Sequence, residues 1–564
     1  MAILFSPLGL GVSLVAILIG AIIFVNKKTK FPIINKYPKD FFHRRANHEY
    51  KTNARKLLKD GAAKHGENPF AILVPNGIKT ILPPSCVGWA KNNKDLDHQQ
   101  LVRDEYFASY PGFDVQHVLH HPNRMVINMV QGKLSKTDKT LPVMNKHIKA
   151  GLSDIWGEDK SWKTLNWDDG TTGVISRAAA SIFVGPELAA DPEWQKVSRA
   201  YVLDYFGAVG EMHLWPSWLR WLVVWYLPGA SACRAGLKRA REMVNKVVQK
   251  RRQEEQEAKL EGKEAPAYYD ALAWTLESPL GNEFEPADVQ LALAMAALFT
   301  TSELFRQILT EIARRPEVVE HLRREIEDAA PDHDFTATSL VKMQLLDSFM
   351  KETQRQIPSL VILERLVTHD TRLPDGTVLK KGTHIAIDSR EMYDPSKFEN
   401  PEEFDAWRFY KRRQAGDNAS LFVQSSPEHA QFGMGGELKL CLAQIILNYD
   451  IRLKDGCSGK PMQFGFLSAT DPYTQLERIL TAGKDRFHSR SNRGYQVTIY
   501  DLISLCLGAC SYLWQKRLQS DNETIYTQRN MSGSVTSDLL FMVNYAGYDV
   551  HSQKELRITS LSET

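Results

Sequence analysis

Cysteine is scarce in this chain of 564 residues, and what there is does not cluster. Cys86, Cys233, Cys441, Cys457, Cys506 and Cys510 include no C-x-x-C pair, which points away from a disulfide framework or a structural zinc site and toward reduced thiols. Net charge is equally thin. Seventy Lys and Arg against 67 Asp and Glu leave +3, too little to recruit nucleic acid. There is no internal repeat and no glycine fingerprint for a dinucleotide or a flavin. With 43% hydrophobic and 24% charged residues, the composition is that of a globular protein with ample material for a core.

Uncharged stretches long enough to cross a bilayer are absent but for one, at the start. Residues 2–25 carry no charge, and Lys27, Lys28 and Lys30 follow at once. A helix of that length spans a membrane, and the positive-inside rule leaves the lysines and all that follows in the cytoplasm. A cleaved signal peptide competes with this reading, but no positive charge precedes the run and no small-residue cleavage site follows it. The expectation is a single-pass anchor over residues 1–26 and a basic, proline-bracketed hinge over residues 27–39. On that topology the sequon at Asn418 never meets the glycosylation machinery.

Residues 40–65 read as a helix stopped near Gly66, and the following AILVPNGIKTILPP reads as a short hairpin. Helical patterns dominate residues 85–250. Within them WPSWLRWLVVWYLPG, residues 215–229, is unusually aromatic: either a buried helix, or a surface that touches membrane or admits substrate. Residues 250–263 are charged on every side and read as an exposed helix end. The strongest helical signal covers residues 286–330 and is interrupted by Pro316; residues 338–357 form another helix. Short strands around a turn at Pro374, Asp375 and Gly376 fill residues 360–388, and residues 391–420 are rich in loops. The fold class is mainly helical, α+β, with a small sheet.

Three local features can carry chemistry, and each has an ordinary alternative. Glu352 and Arg355 stand at i, i+3 on one helix, where they can form a charge-assisted pair, as many surface residues do. Thr300 and Thr301 interrupt the apolar AMAALFTTSELF; their hydroxyls can bond back to the preceding turn or line a pocket. Arg408 lies among aromatics in FDAWRF, an arrangement that packing alone also produces. Last comes FGMGGELKLCLAQIILNYD, residues 432–450, in which Phe432, Gly433, Gly435 and Gly436 form a glycine-rich turn before an amphipathic helix.

Taken together and in this order, anchor, proline hinge, A-A-x-x-T-T helix, E-x-x-R helix, F-D-x-W-R-F loop and F-G-x-G turn resemble a microsomal cytochrome P450. The look is that of the fungal secondary-metabolism members that oxidise terpenoids. The resemblance covers roughly residues 5–475 and implies a haem-thiolate monooxygenase holding haem b. It implies that Glu352, Arg355 and Arg408 form a buried charge network on the haem side and that Thr300, with Thr301, serves proton delivery. Ala296, Ala297 and Phe299 would lie against the distal haem face, Arg365 would meet a haem propionate, and Phe432, Gly433 and Gly435 would border the haem. The substrate implied is a small hydrophobic secondary metabolite, terpenoid or indole-diterpenoid in type. Electrons would come from NADPH through NADPH-cytochrome P450 reductase, with cytochrome b5 as a further donor, because the chain has no flavin fingerprint of its own. The setting implied is the endoplasmic reticulum membrane, with the catalytic domain, residues 40–475, on the cytoplasmic side and in contact with membrane lipid. No nucleic-acid partner is expected.

Two departures from the pattern stand out. The acid that often precedes the catalytic threonine is Phe299 here, and a phenyl ring relays no proton. The family turn reads F-G-x-G-x-x-x-C, but seven residues after Phe432 this chain has Lys439, and Cys441 comes two positions too late. A second alignment matches the segment from Glu437 onward to the family's helix beyond the cysteine, with roughly eleven residues, the thiolate ligand among them, missing after Gly436. Leu438, Cys441, Leu442, Ile445, Ile446 and Tyr449 then share one helical face, and Cys441 becomes a small buried hydrophobe. Cys441 thus stands either as a displaced axial ligand or as a core residue, and the chain either as an oxygenase or as a haem-free relic or binding protein of the same fold. Residues 476–564 read as an extension without a packed core.

Overall fold

A computed structural model describes residues 29–40, 43–134, 139–357, 359–424, 435–471 and 473–481. The expected anchor, Phe432, Gly433 and nearly all of the extension lie outside the described residues. Among the described residues no helix is long and apolar enough to cross a membrane.

The chain begins with α1 (Arg44–His65), β1 (Phe70–Val74), β2 (Gly77–Leu82), β3 (Leu96–Asp97) and α2 (His98–Glu105). It then enters a helical body: α3 (Thr140–Ile155), the short β4 (Lys163–Thr164), α4 (Val174–Phe183), α5 (Pro192–His213), α6 (Pro228–Leu260), α7 (Pro286–Arg314), α8 (Pro316–Ala329), α9 (Ala337–Lys342) and α10 (Gln344–Gln356). Strands return as β5 (Val361–Val367), β6 (Thr371–Arg372), β7 (Val378–Leu379) and β8 (His384–Asp388). After them come α11 (Arg408–Gln414), α12 (Gly435–Asn448), β9 (Tyr449–Leu453), β10 (Pro461–Phe464), β11 (Leu467–Thr470) and β12 (Leu476–Leu480).

Local chemistry sets many of these limits. α1 stops at Gly66, whose φ of 61° suits a residue without Cβ. The helices α5, α6, α7 and α8 all begin with proline, which donates no N–H where a first turn has no acceptor for one. The single helix expected over residues 338–357 is in fact two. Met343 leaves helical geometry, and the Glu325 carboxylate of α8 accepts the N–H groups of Leu345 (2.6 Å) and Leu346 (2.9 Å), so an anion from another helix caps a new N-terminus.

The main sheet has the order β1-β2-β8-β5-β3. Its one parallel pair, β2 with β8, joins Lys79 to His384, so strands that precede and follow the helical body in sequence meet in one sheet. A second sheet, β4-β12-β9, places β12 in the middle, and the paired domain therefore runs past the boundary expected at residue 475. The largest apolar cluster lies within the helical body and is crossed by α7, whose Leu291, Phe305, Ile308 and Leu309 are fully buried. The aromatic span 215–229 is no buried helix. It makes a single helical turn, Arg220–Val223, and exposes Trp218 (56%), Trp221 (64%), Trp225 (55%) and Tyr226 (80%).

Candidate active site

The site is built around α7. Most of its side chains are sealed in the core, yet Ala296 and Thr300, one turn apart on one face, are exposed. The result is a strip of methyl groups with one hydroxyl in the middle of a buried helix. Thr300 Oγ1 donates to the Ala296 carbonyl at 2.9 Å, the back-bond open to a helical threonine. Thr301 is buried, as is Ser302, whose hydroxyl has no hydrogen-bond partner among the described residues. Ala297 and Phe299 are also buried and lie within the core cluster. One turn beyond Thr300, Glu303 accepts from Thr470 N (2.6 Å), Thr470 Oγ1 (2.9 Å) and Gln307 (3.1 Å) through a single oxygen, and its other oxygen is buried and unpartnered among the described residues. Burial raises the pKa of this carboxyl above the usual carboxylate range.

The structure brings Glu352, Arg355 and Arg408 together. Arg355 grips Glu352 through two nitrogens at 2.8 and 2.9 Å, with both side chains fully buried. Arg408 Nε reaches both oxygens of the same carboxylate at 3.1 and 3.2 Å, and the Asp405 N–H adds a bond at 3.1 Å. The outer nitrogens of the two arginines donate to loop carbonyls: Arg355 to Met392 (2.8 Å) and Pro401 (2.7 Å), Arg408 to Glu399 (2.5 Å) and Glu403 (2.9 Å). The carboxylate is therefore saturated and the guanidiniums become rivets for residues 392–403, the condition under which a buried ion group is tolerated.

α10 also fixes what lies on either side of residues 425–434. Lys351 Nζ donates to the carbonyls of Ala419 (2.7 Å), Leu421 (2.8 Å) and Gln424 (2.8 Å). With three dipoles and no carboxylate bonded to it among the described residues, burial lowers the pKa of this lysine to about 8. Asp347, one turn earlier, takes Lys439 Nζ of α12 at 2.5 Å, and the same ammonium donates to the Leu340 carbonyl at 2.8 Å. Sequence reading missed Lys351, Asp347 and Glu303. For Asp347 and Lys351 the available signal was the run of charge in LLDSFMKETQR, which is too dense for a helix with only one buried ion pair; Glu303 had no such signal.

Gly435 opens α12, and Cys441 lies on its sealed side, fully buried in the apolar cluster. Burial and the neighbouring Glu437 push its thiol well above the ordinary cysteine value. Glu437 has one buried oxygen without a partner among the described residues, and burial pushes its pKa up to about 8. Arg365 sits elsewhere, on β5. It is half-buried, donates to the Glu364 carbonyl at 2.8 Å and pairs with no carboxylate among the described residues, so burial lowers its pKa. Next to it, His384 lies between Glu105 (3.1 Å) and Glu364 (3.0 Å), with Lys79 on Glu364 at 2.5 Å, a charged cluster that the sequence did not announce.

Comparison with known proteins matches this architecture to one family. The profile described as cytochrome P450 covers residues 192–476. The chain is 31% identical to cytochrome P450 monooxygenase adrA of Penicillium rubens over 80% of its own length and 92% of that protein. It is 33% identical to cytochrome P450 monooxygenase hepE of Aspergillus oryzae over 76% and 82%. It is 30% identical to cytochrome P450 monooxygenase 1 of Gibberella fujikuroi over 73% and 97%. With the exposed strip of α7, the α10 charge network and this breadth of likeness, the chain belongs to the cytochrome P450 family, among fungal monooxygenases.

Proposed function

We propose that the domain is built to hold a hydrophobic secondary metabolite, terpenoid or indole-diterpenoid in type, against Ala296 and Thr300 for insertion of one oxygen atom from O2. The exposed strip of α7 carries this reading, because an apolar face with one hydroxyl suits a large greasy molecule with little polarity. Thr300 and Thr301 are the hydroxyls we assign to proton handling. Glu303, which keeps its proton to higher pH than an ordinary carboxylate, stands one turn away where Phe299 offers no acid. Glu352, Arg355 and Arg408 hold the loops on the far side of α10. Electrons are assigned to NADPH through NADPH-cytochrome P450 reductase, with cytochrome b5 as a further donor. Residues 1–26 are the proposed anchor in the endoplasmic reticulum membrane, and the exposed tryptophans of residues 218–225 support a second contact with lipid.

The residues present suit the family's haem on one side only. The open strip of α7 accepts a flat apolar group, and Arg365, bonded to no carboxylate among the described residues, suits an anionic edge. The axial side does not fit, because the one thiol of α12 is sealed in the core. That observation favours a second reading, a haem-free binding protein of the same fold. Both readings require the apolar site. Titrating the full chain in nanodiscs with a polycyclic diterpene, followed by tryptophan fluorescence, should show saturable binding that Ala296→Trp weakens about tenfold or more. Unchanged affinity in that variant would remove the site from α7.

A further inference from the structure

We propose that Cys441 is a core thiol and not an iron ligand, and that a missing turn ahead of α12 is what separates this chain from a haem-thiolate protein. The first half stands on geometry. A thiolate ligand must be ionised and must project into the opening beside α7. Cys441 does neither: it is fully buried among apolar side chains, and its surroundings favour the protonated thiol.

Sliding the helix offers no escape. Bringing Cys441 to the place of Lys439 turns α12 by about 200° and shifts it about 3 Å along its axis. That motion breaks contacts along its whole length. Lys439 would leave Asp347 and the Leu340 carbonyl. Gln444 would leave Asn145 (2.7 Å), and the Ile446 carbonyl would lose Arg323 (3.0 Å). Just beyond the helix, Tyr449 donates to the Gly157 carbonyl (3.0 Å) and packs edge-on against Trp156, and Asp450 holds Arg323 at 2.7 Å. Lys439 is no substitute, since its ammonium is bound on the α10 side and is not a thiolate.

The defect is local. The partners of Glu352 and Lys351 are complete, whereas the first turn of α12 carries Glu437 with a buried oxygen facing no donor among the described residues. Orphaned carboxyls occur elsewhere, as at Glu303, but this one directly follows Gly436, where the sequence departs from the family turn, so a partner lost with the missing residues accounts for it. The second half of the proposal rests on the monooxygenase reading; the first does not.

The test uses the full chain in membranes, reduced and exposed to carbon monoxide. No red-shifted Soret band of thiolate type is expected from the parent chain or from Cys441→Ala, and the Cys441 thiol should resist alkylation until the protein melts cooperatively. A thiolate band in the parent that Cys441→Ala removes, without loss of cooperative melting, would make Cys441 the ligand. A band that survives Cys441→Ala would mean another thiol serves, which equally overturns the proposal. A third protein carries a turn inserted between Gly436 and Glu437, with cysteine seventh after Phe432. It should gain the band while keeping the parent's melting behaviour. A folded insertion variant without the band would refute the claim that one turn is the difference. An insertion variant with the band but no diterpene binding would leave this inference standing and overturn the substrate assignment.

Discussion

Glu352 and Glu437 are both carboxyl groups withdrawn from water within one domain, and their surroundings treat them in opposite ways. Glu352 meets two guanidiniums and a backbone N–H and anchors two arginines that in turn hold four loop carbonyls. Glu437 keeps a buried oxygen with no donor among the described residues, and its pKa rises to about 8. Coulomb attraction and hydrogen bonding offset desolvation at the first site, and nothing offsets it at the second. A complete network marks a part of the molecule whose partners are all present.

That contrast can be broken at several points. The largest effect is expected from Glu352→Ala, which strands two buried guanidiniums and should cost about 3–5 kcal/mol, read as a lowered denaturation midpoint. A loss below about 1 kcal/mol, the range of exposed pairs, would reduce the network to a surface bridge. Lys351→Met comes next. It leaves the carbonyls of Ala419, Leu421 and Gln424 without their shared donor, for a loss of about 1–3 kcal/mol. Protease cleavage should also become faster around residues 419–424, and unchanged cleavage would show that this segment is held by something else.

The most diagnostic effect is the one that depends on pH. Glu437 has a folded pKa raised above its unfolded value, so the folded state binds the extra proton between about pH 4.5 and 8. Stability from this group is complete below the lower value and is lost as pH rises through the upper one. Glu437→Gln should therefore flatten the fall in melting temperature across that window and raise it at pH 8, with little change at pH 4. A parent chain with no slope in the window would mean that Glu437 has a donor after all.

How much of this was legible follows the distance over which each signal acts. Gly66 stopped α1 and Pro316 began α8 because those residues act on their own backbone. The break at Met343 was not legible, because the carboxylate that caps α10 comes from Glu325 on another helix. The same holds for Lys351, whose three acceptors lie 68, 70 and 73 positions along the chain. The aromatic span 215–229 had two readings in the sequence, and only the exposure of its tryptophans chose between them. Ala296 and Thr300 stood in an apolar run with Ala297 and Phe299, and no periodicity told which pair would be left open.

The sequence by itself determined the order of the elements, the proline and glycine limits of the helices, and the absence of a cysteine at the spacing an axial ligand requires. Those follow from local backbone chemistry and from counting. Tertiary structure alone decided that Cys441 is sealed in the core, which face of α7 stays open and which buried charges find partners. Each of these depends on what other elements place against a side chain, and burial and charge pairing are properties of that meeting and not of the residue.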